Sequence, residues 1–412
     1  MSTWFRPPTR MQRILMAACV AIVVVQWVVI MHRRATHVGD FDVSREFGRR
    51  FLAHEDLYTG GLHYPYMPAA AMYFSPLALL DPTVGLALRY AVAVGCLWLT
   101  LHLLHTMVRE RSGAGASQEL MIGALSVLLA SHYIIRDLDD GGPHLILLAM
   151  LVGGIYDAWK GREYRAAIWF GLATALKAPA ALFVPFFLWK GRWRLAIGTV
   201  LAAACWIALP ALWMGPSSWW THQREWTRTV VGSLTGNRIA VAEDSESRVQ
   251  NQALEPALMR DLETHVSPAT ATAVATVVMA GLVVACAWWA RRPCQSAASP
   301  GWLRECAAVL ILALLLSPVT WVQHMVFVLP AVYLVVAEGH GIRPLGPPAG
   351  AALGVYVILA LILNREFLGR EHYVLLLSYG TQTLCMLLVL ALITLRCPTI
   401  PAANVPDQRA RT

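Results

Sequence analysis

Apolar runs close to the length needed to cross a bilayer follow one another along nearly the whole chain, separated by short polar breaks. They are Met11–Met31, Thr83–Val108, Glu119–Ile135, His144–Ala158, Tyr164–Leu176, Ala178–Trp189, Trp193–Trp213, Pro268–Ala290, Arg304–Leu316, Val322–Val336, Pro348–Leu363 and Tyr373–Leu395. This pattern predicts an all-α polytopic membrane protein, a bundle of about 11–12 transmembrane helices. The first run has no small-residue cleavage site and reads as a retained anchor rather than a removed signal.

Two neighbouring runs meet at Lys177, in the context Ala-Leu-Lys-Ala-Pro. Joined, they make one long span; split, they make a hairpin of two half-spans with Lys177 at its apex. The flanking charge favours the split. Lys160, Arg162 and Arg165 precede the pair, and Lys190, Arg192 and Arg194 follow it. A single crossing strands one cluster outside, against the positive-inside bias. Pro179 and Pro185 break the backbone, which is tolerated at depth where it faces protein or a cavity. With the split, both termini are cytoplasmic, although Arg33 and Arg34 beyond the first span run against the bias. Two long polar segments, 32–82 and 215–267, then share the outer side. Both are rich in Trp, Tyr, Pro and Gly, as suits short interfacial helices, and neither has the length of a typical independent domain. The chain reads as one unit, 1–412.

Composition agrees with this. At 57% hydrophobic and 14% charged, the 412 residues are too apolar for an ordinary soluble protein. The formal charge of +8 is spread over short loops, with no basic domain for nucleic acid. Of eight cysteines, Cys294 and Cys397 flank apolar runs and the rest lie within them. No CxxC pair occurs, so disulfides and structural zinc are not expected.

Few polar groups remain to do chemistry. A lysine at membrane depth costs about 2.5–3.5 kcal/mol. Lys177 either snorkels to the headgroups or meets an anionic ligand. Asp40 and Asp42 follow the first span, ahead of Leu57-Tyr58-Thr59-Gly60; a carboxylate here can deprotonate a hydroxyl, or simply sit in a solvated loop or cap a helix. The cluster Arg136-Asp137-Leu138-Asp139-Asp140 has a DxD-like pattern that can hold a metal against a nucleotide diphosphate, but the favoured reading is a solvated turn closed by Gly141-Gly142-Pro143. His324 lies in Ser317-Pro318-Val319-Thr320-Trp321-Val322-Gln323-His324, where one span gives way to the next. Asn251, Gln252 and Arg260 can bind sugar hydroxyls or phosphate, or belong to a surface loop. His102 and His105 are too few for a metal site.

Taken together, these segments resemble glycosyltransferase family 87, within the GT-C superfamily that uses lipid-phosphate sugars. The matching elements are Asp40-Phe41, then Asp56-Leu57-Tyr58; Tyr66-Met67-Pro68 before Phe74-Ser75-Pro76-Leu77-Ala78; Lys177-Ala178-Pro179; Asn251-Gln252-Ala253-Leu254; and Ser317, Pro318, Trp321 and His324. Met67 replaces a proline and Ala253 a serine. Where the family has Gly-Gln-x-Asn, this chain has Gly141-Gly142-Pro143-His144.

The resemblance implies a GT-C-like bundle that moves a hexose, with mannose the family's best-attested sugar, from a polyprenyl-phosphate donor to a glycolipid or glycan acceptor with inversion. The site would lie on the outer face of the cell membrane. It implies Asp40 as base with Asp42 in reserve, Lys177 and more weakly Arg260 at the donor phosphate, and His324 at the phosphate or the acceptor. Tyr66, Asn251 and Gln252 would be secondary. Neither a metal nor a cofactor is required. The competing classes are a transporter or flippase for a lipid-linked or polar solute, which buried charge and broken helices also suit, and an inactive assembly factor.

Overall fold

The computed structural model describes residues 9–33, 39–58, 66–112, 116–234, 245–291, 301–341 and 346–395. Thr59, Gly60, Cys294 and Cys397 lie outside the described residues. Among the described residues the secondary structure is helical, with no strands. In chain order the first helices are α1 (Arg10–Arg33), α2 (Asp40–Leu52), α3 (Pro68–Ala78), α4 (Pro82–Ser112), α5 (Ala116–Leu129) and α6 (Ser131–Asp140). Then come α7 (His144–Trp159), α8 (Glu163–Leu176), a 3₁₀ turn over Ala178–Leu182, α9 (Phe183–Trp189), α10 (Trp193–Ala208), α11 (Ala211–Met214) and α12 (Pro216–Leu234). The last part holds α13 (Ser245–Gln250), α14 (Leu254–Leu262), α15 (Pro268–Trp289), α16 (Trp302–Leu315), a 3₁₀ stretch Val322–Val328, α17 (Leu329–Gly341), α18 (Pro347–Val357), α19 (Arg365–Ser378) and α20 (Thr381–Leu395).

Five of these elements are long and apolar enough to cross a membrane: Arg10–Arg33, Pro82–Arg109, Trp193–Met214, Pro268–Trp289 and Val322–Gly339. Two bent pairs raise the number to seven: Gln118–Leu129 with Ser131–Asp140, bent by 65°, and Pro347–Ile362 with Arg365–Ser378, bent by 98°. His144–Trp159, Ala178–Trp189 and Thr381–Leu395 are apolar but shorter. The chain is thus an all-α polytopic membrane protein. Fewer of its helices are full-length spans than its apolar runs suggest, because several runs bend or stop short.

Burial sorts the helices into an inner and an outer set. All of α16 except Glu305 is buried, and so is most of α7. On α1, Val20, Val24, Val25 and Val28 are exposed, and α15 exposes Val277 and Val284. These are the side chains for lipid to cover, since apolar surface gains nothing from leaving a hydrocarbon solvent. Small residues let inner helices close up: Gly171 of α8 lies against Ala202 and Ala203 of α10.

The Lys177 region is a hairpin. Pro179 has no N–H to continue α8, so the helix stops and the chain turns at Lys177, extended at φ −147°, ψ 111°, before the 3₁₀ turn. The returning arm runs back along α8, with Phe183 tilted against Phe170 and Phe187 edge-to-face with it, at 4.7 and 4.9 Å between ring centroids. At the base of the hairpin, Arg192 meets Glu163 at 2.6 Å. The two ends therefore lie together, and Lys177 is the tip. Helix α7 runs alongside, with His144 at the tip end and Asp157 at the base, where it faces Arg162 of the α7–α8 turn.

The two long polar segments hold α2 and α3 in the first and α12, α13 and α14 in the second. The acidic cluster is a correction. It is not a solvated turn but the last part of α6, with Asp137 fully buried and the side chains of Asp139 and Asp140 only 9% and 13% exposed. The bend at Ala130 turns this amphipathic segment into the protein, where arginines and backbone amides take up the carboxylates.

Candidate active site

The site grows from the corner between α6 and α7. Helix α6 ends on Gly141, whose φ of +69° is a left-handed conformation that glycine adopts freely, and a Cβ there would strike Phe41 at 2.7 Å. The next residue, Gly142, leaves room for the His144 ring, which a Cβ would meet at 2.8 Å. This corner seats the start of α2 and with it Asp40, the first residue of that helix.

Asp40 is partly buried, within electrostatic reach of Lys177, Asp137 and Asp140, and hydrogen-bonded to Gln323. Its carboxyl is pushed up to about 7. Burial is the main cause, with the Asp140 and Asp137 charges adding to it; the Lys177 ammonium and the Gln323 hydrogen bond pull the other way. A carboxyl of this kind exchanges a proton near neutral pH, as a general base must.

Lys177 Nζ lies 2.9 Å from His144 Nε2 and 5.8 Å from the centre of the Tyr66 ring. His144 is fully buried, its Nδ1 2.8 Å from Asp137 Oδ1. The His324 ring packs on His144 with centroids 4.3 Å apart. The backbone N–H of Trp321 donates to His324 Nδ1 at 3.2 Å. Beside Lys177 opens a narrow cleft lined by Tyr66, Tyr73 and Lys177 together with Phe74, Ile146 and Leu176. Its wall is mostly apolar and its polar tip is an ammonium.

Of the residues expected from the sequence, Asp40, Lys177, His324 and Tyr66 come together here. Asp42 does not face this cleft. It lines a separate pocket with Gly39, Asp139 and Asp140, because residues two apart on a helix point in diverging directions. Asn251, Gln252 and Arg260 form a bracket. Asn251 Nδ2 donates to Pro318 O at 2.9 Å, and its Oδ1 accepts from Thr320 N at 2.9 Å. Gln252 is buried and donates to Val249 O and Leu377 O, both at 2.8 Å. Arg260 donates to the carbonyls of Asn251 at 2.7 Å and Arg248 at 3.0 Å, and more loosely to Leu377 and Ser378. Burial, then the Arg248 charge, pulls its guanidinium down to about 10. The bracket clamps the Ser317–Trp321 loop that delivers His324.

Sequence reasoning missed Asp137, His144, Gln323 and Arg89 as parts of the site. Arg89 is buried in α4 with Nη2 3.7 Å from Asp137 Oδ2, and both its terminal nitrogens lack hydrogen-bond partners among the described residues. A buried arginine inside an apolar run was the available signal. Among the described residues, no three His, Cys, Asp or Glu side chains are grouped to hold a metal ion.

Comparison with known proteins points the same way. The family model for glycosyltransferase family 87 matches residues 64–318. A polyprenol-phosphate-mannose-dependent alpha-(1-2)-phosphatidylinositol mannoside mannosyltransferase of Mycobacterium tuberculosis (strain ATCC 25618 / H37Rv) is 26% identical over 325 residues, 72% of this chain and 69% of that protein. A protein of the same description from Mycolicibacterium smegmatis (strain ATCC 700084 / mc(2)155) is 28% identical over 355 residues, 78% of this chain and 76% of its own length. No solved structure matches.

Proposed function

This chain belongs to glycosyltransferase family 87 and is a membrane hexosyltransferase, and we propose that it transfers mannose from a polyprenyl-phosphate donor to a glycolipid acceptor, with inversion, on the outer face of the cell membrane. The observation that carries this reading is that Lys177, which lines a mostly apolar cleft, lies within electrostatic reach of Asp40. The mannosyltransferases that resemble the chain supply the donor and acceptor class.

In this scheme the acceptor oxygen attacks the anomeric carbon as the bond from that carbon to the phosphate oxygen breaks. Asp40 takes the acceptor proton, and the electron pair of the broken bond stays on the departing polyprenyl phosphate. Lys177 stabilises the charge gathering there, where a preformed cation acts in a site of low polarity. His324 packs behind it and orients the phosphate end. Attack opposite the leaving group gives inversion. Arg260, Asn251 and Gln252 act at one remove, through the loop they clamp.

The test is transfer by purified full-length protein in nanodiscs, given polyprenyl-phosphate mannose and phosphatidylinositol mannosides. Production of a mannosylated lipid with inverted anomeric configuration supports the reading. Absence of transfer across donor sugars and glycolipid acceptors, with well-folded protein, rejects it.

A further inference from the structure

A line of contacts runs inward from Lys177 through His144 to Asp137 and Arg89. The direction of each hydrogen bond follows from what the groups can do. An ammonium has donors only, so His144 Nε2 accepts from Lys177 at 2.9 Å. A neutral imidazole then carries its proton on Nδ1, which donates to Asp137 Oδ1 at 2.8 Å. Both carboxylate oxygens are already acceptors: Oδ1 takes the His144 backbone N–H at 3.2 Å, and Oδ2 takes that of Leu145 at 3.1 Å. Arg89 faces Oδ2 at 3.7 Å. Asp137 is thus held as an acceptor, and that selects the tautomer of His144 that leaves a lone pair toward Lys177.

We infer that Asp137 and His144 are a positioning pair that aims the Lys177 ammonium while leaving its charge open to an anionic phosphate ester. The inference rests on the reading of Lys177 as the donor-phosphate cation. A carboxylate in direct contact would hold the lysine equally well, but it would also compete with the phosphate for the same charge. An imidazole placed between them gives the directional hydrogen bond and keeps the carboxylate one ring further away, where its attraction is weaker. Packing of the tilted His324 ring against the His144 ring, at 4.3 Å between centroids, limits how the ring can turn. The two nitrogens of Arg89 without hydrogen-bond partners are consistent with an arginine kept beside Asp137 to hold it ionised, as burial alone disfavours a charged carboxylate.

The experiment measures binding of polyprenyl phosphate, which has no sugar, to nanodisc-embedded full-length protein and three variants. Turnover of polyprenyl-phosphate mannose is scored separately. His144→Gln keeps a neutral acceptor and should bind within about threefold of the parent, while His144→Ala should bind about tenfold or more weakly, as expected for loss of a hydrogen bond to a charged group. His144→Glu should be the weakest, because its carboxylate neutralises Lys177. KM for the acceptor should hardly move. Equal binding by His144→Gln and His144→Glu, or by His144→Ala and the parent, overturns the inference. Should His144→Ala fail to give a monodisperse protein, the Gln–Glu pair decides alone. A parent protein that binds polyprenyl phosphate but transfers no mannose defeats the proposed reaction and leaves the positioning pair standing; one that binds no polyprenyl phosphate defeats the pair.

Discussion

Two lysines, at opposite ends of one hairpin, are held in opposite ways. Lys190, at the base, is 5% exposed and donates to Ala290 O at 3.0 Å and to Glu305, whose two oxygens lie at 3.1 and 3.0 Å. Around it, Arg304 pairs with Glu338, and Asp157 meets Arg162, Arg165 and the Trp169 indole. Lys177, at the tip, touches a neutral imidazole and the face of an aromatic ring, and borders a cleft. Both are cations in an apolar protein, but only the first has a carboxylate against it. A buried charge with a full set of partners holds a fold together. One held by neutral groups beside a cavity is prepared for a ligand.

The largest effect should come from Asp40, the proposed base. Asp40→Asn should lower transfer by about 10²–10⁴-fold, the usual contribution of a positioned proton acceptor, with the protein still monodisperse and inserted. A rate within a few-fold of the parent would remove Asp40 from the scheme. Next come the two lysines, with reciprocal outcomes. Lys177→Met should reduce kcat/KM for the donor by about 10²–10³-fold, as for loss of a preorganised electrostatic contact, and barely move the melting temperature. Lys190→Met leaves the partly buried Glu305 without its cation, so it should lower the melting temperature and yield. The folded fraction should keep a parental KM for the donor.

Acidity gives a finer test. Asp40 must be ionised to act, and its carboxyl sits at about 7. Activity should therefore rise with pH through about 7. The Lys177 ammonium lowers the Asp40 value, so Lys177→Met should move this limb to higher pH. Asp140 raises it, and more strongly than Lys177 lowers it, so Asp140→Asn should move the limb to lower pH, by at least as much. A limb that stays fixed in both variants would assign the titration to another group.

The hairpin was legible because charge at both flanks and proline at the turn act locally, and both survive into the structure. Asp40, Lys177 and His324 were legible as polar groups at span ends. Asp137 and His144 were not, because their partners lie in α4 and at the tip of the hairpin. A run of aspartates closed by two glycines has the same composition whether it is solvated or folded inward; the bend at Ala130 decides. Asn251, Gln252 and Arg260 were visible as polar residues, but what they bind is backbone carbonyl and amide, which carries no sequence signature. The number of full-length spans was also hidden, since hydropathy measures apolar length and not bends such as the 98° turn before Arg365.

The contrast between the two lysines is tested most directly by the dissociation constant of polyprenyl phosphate for Lys177→Met and Lys190→Met, each measured on folded full-length protein in nanodiscs. The account predicts a large loss of binding for Lys177→Met and none for Lys190→Met. Equal affinities in the two variants would contradict it.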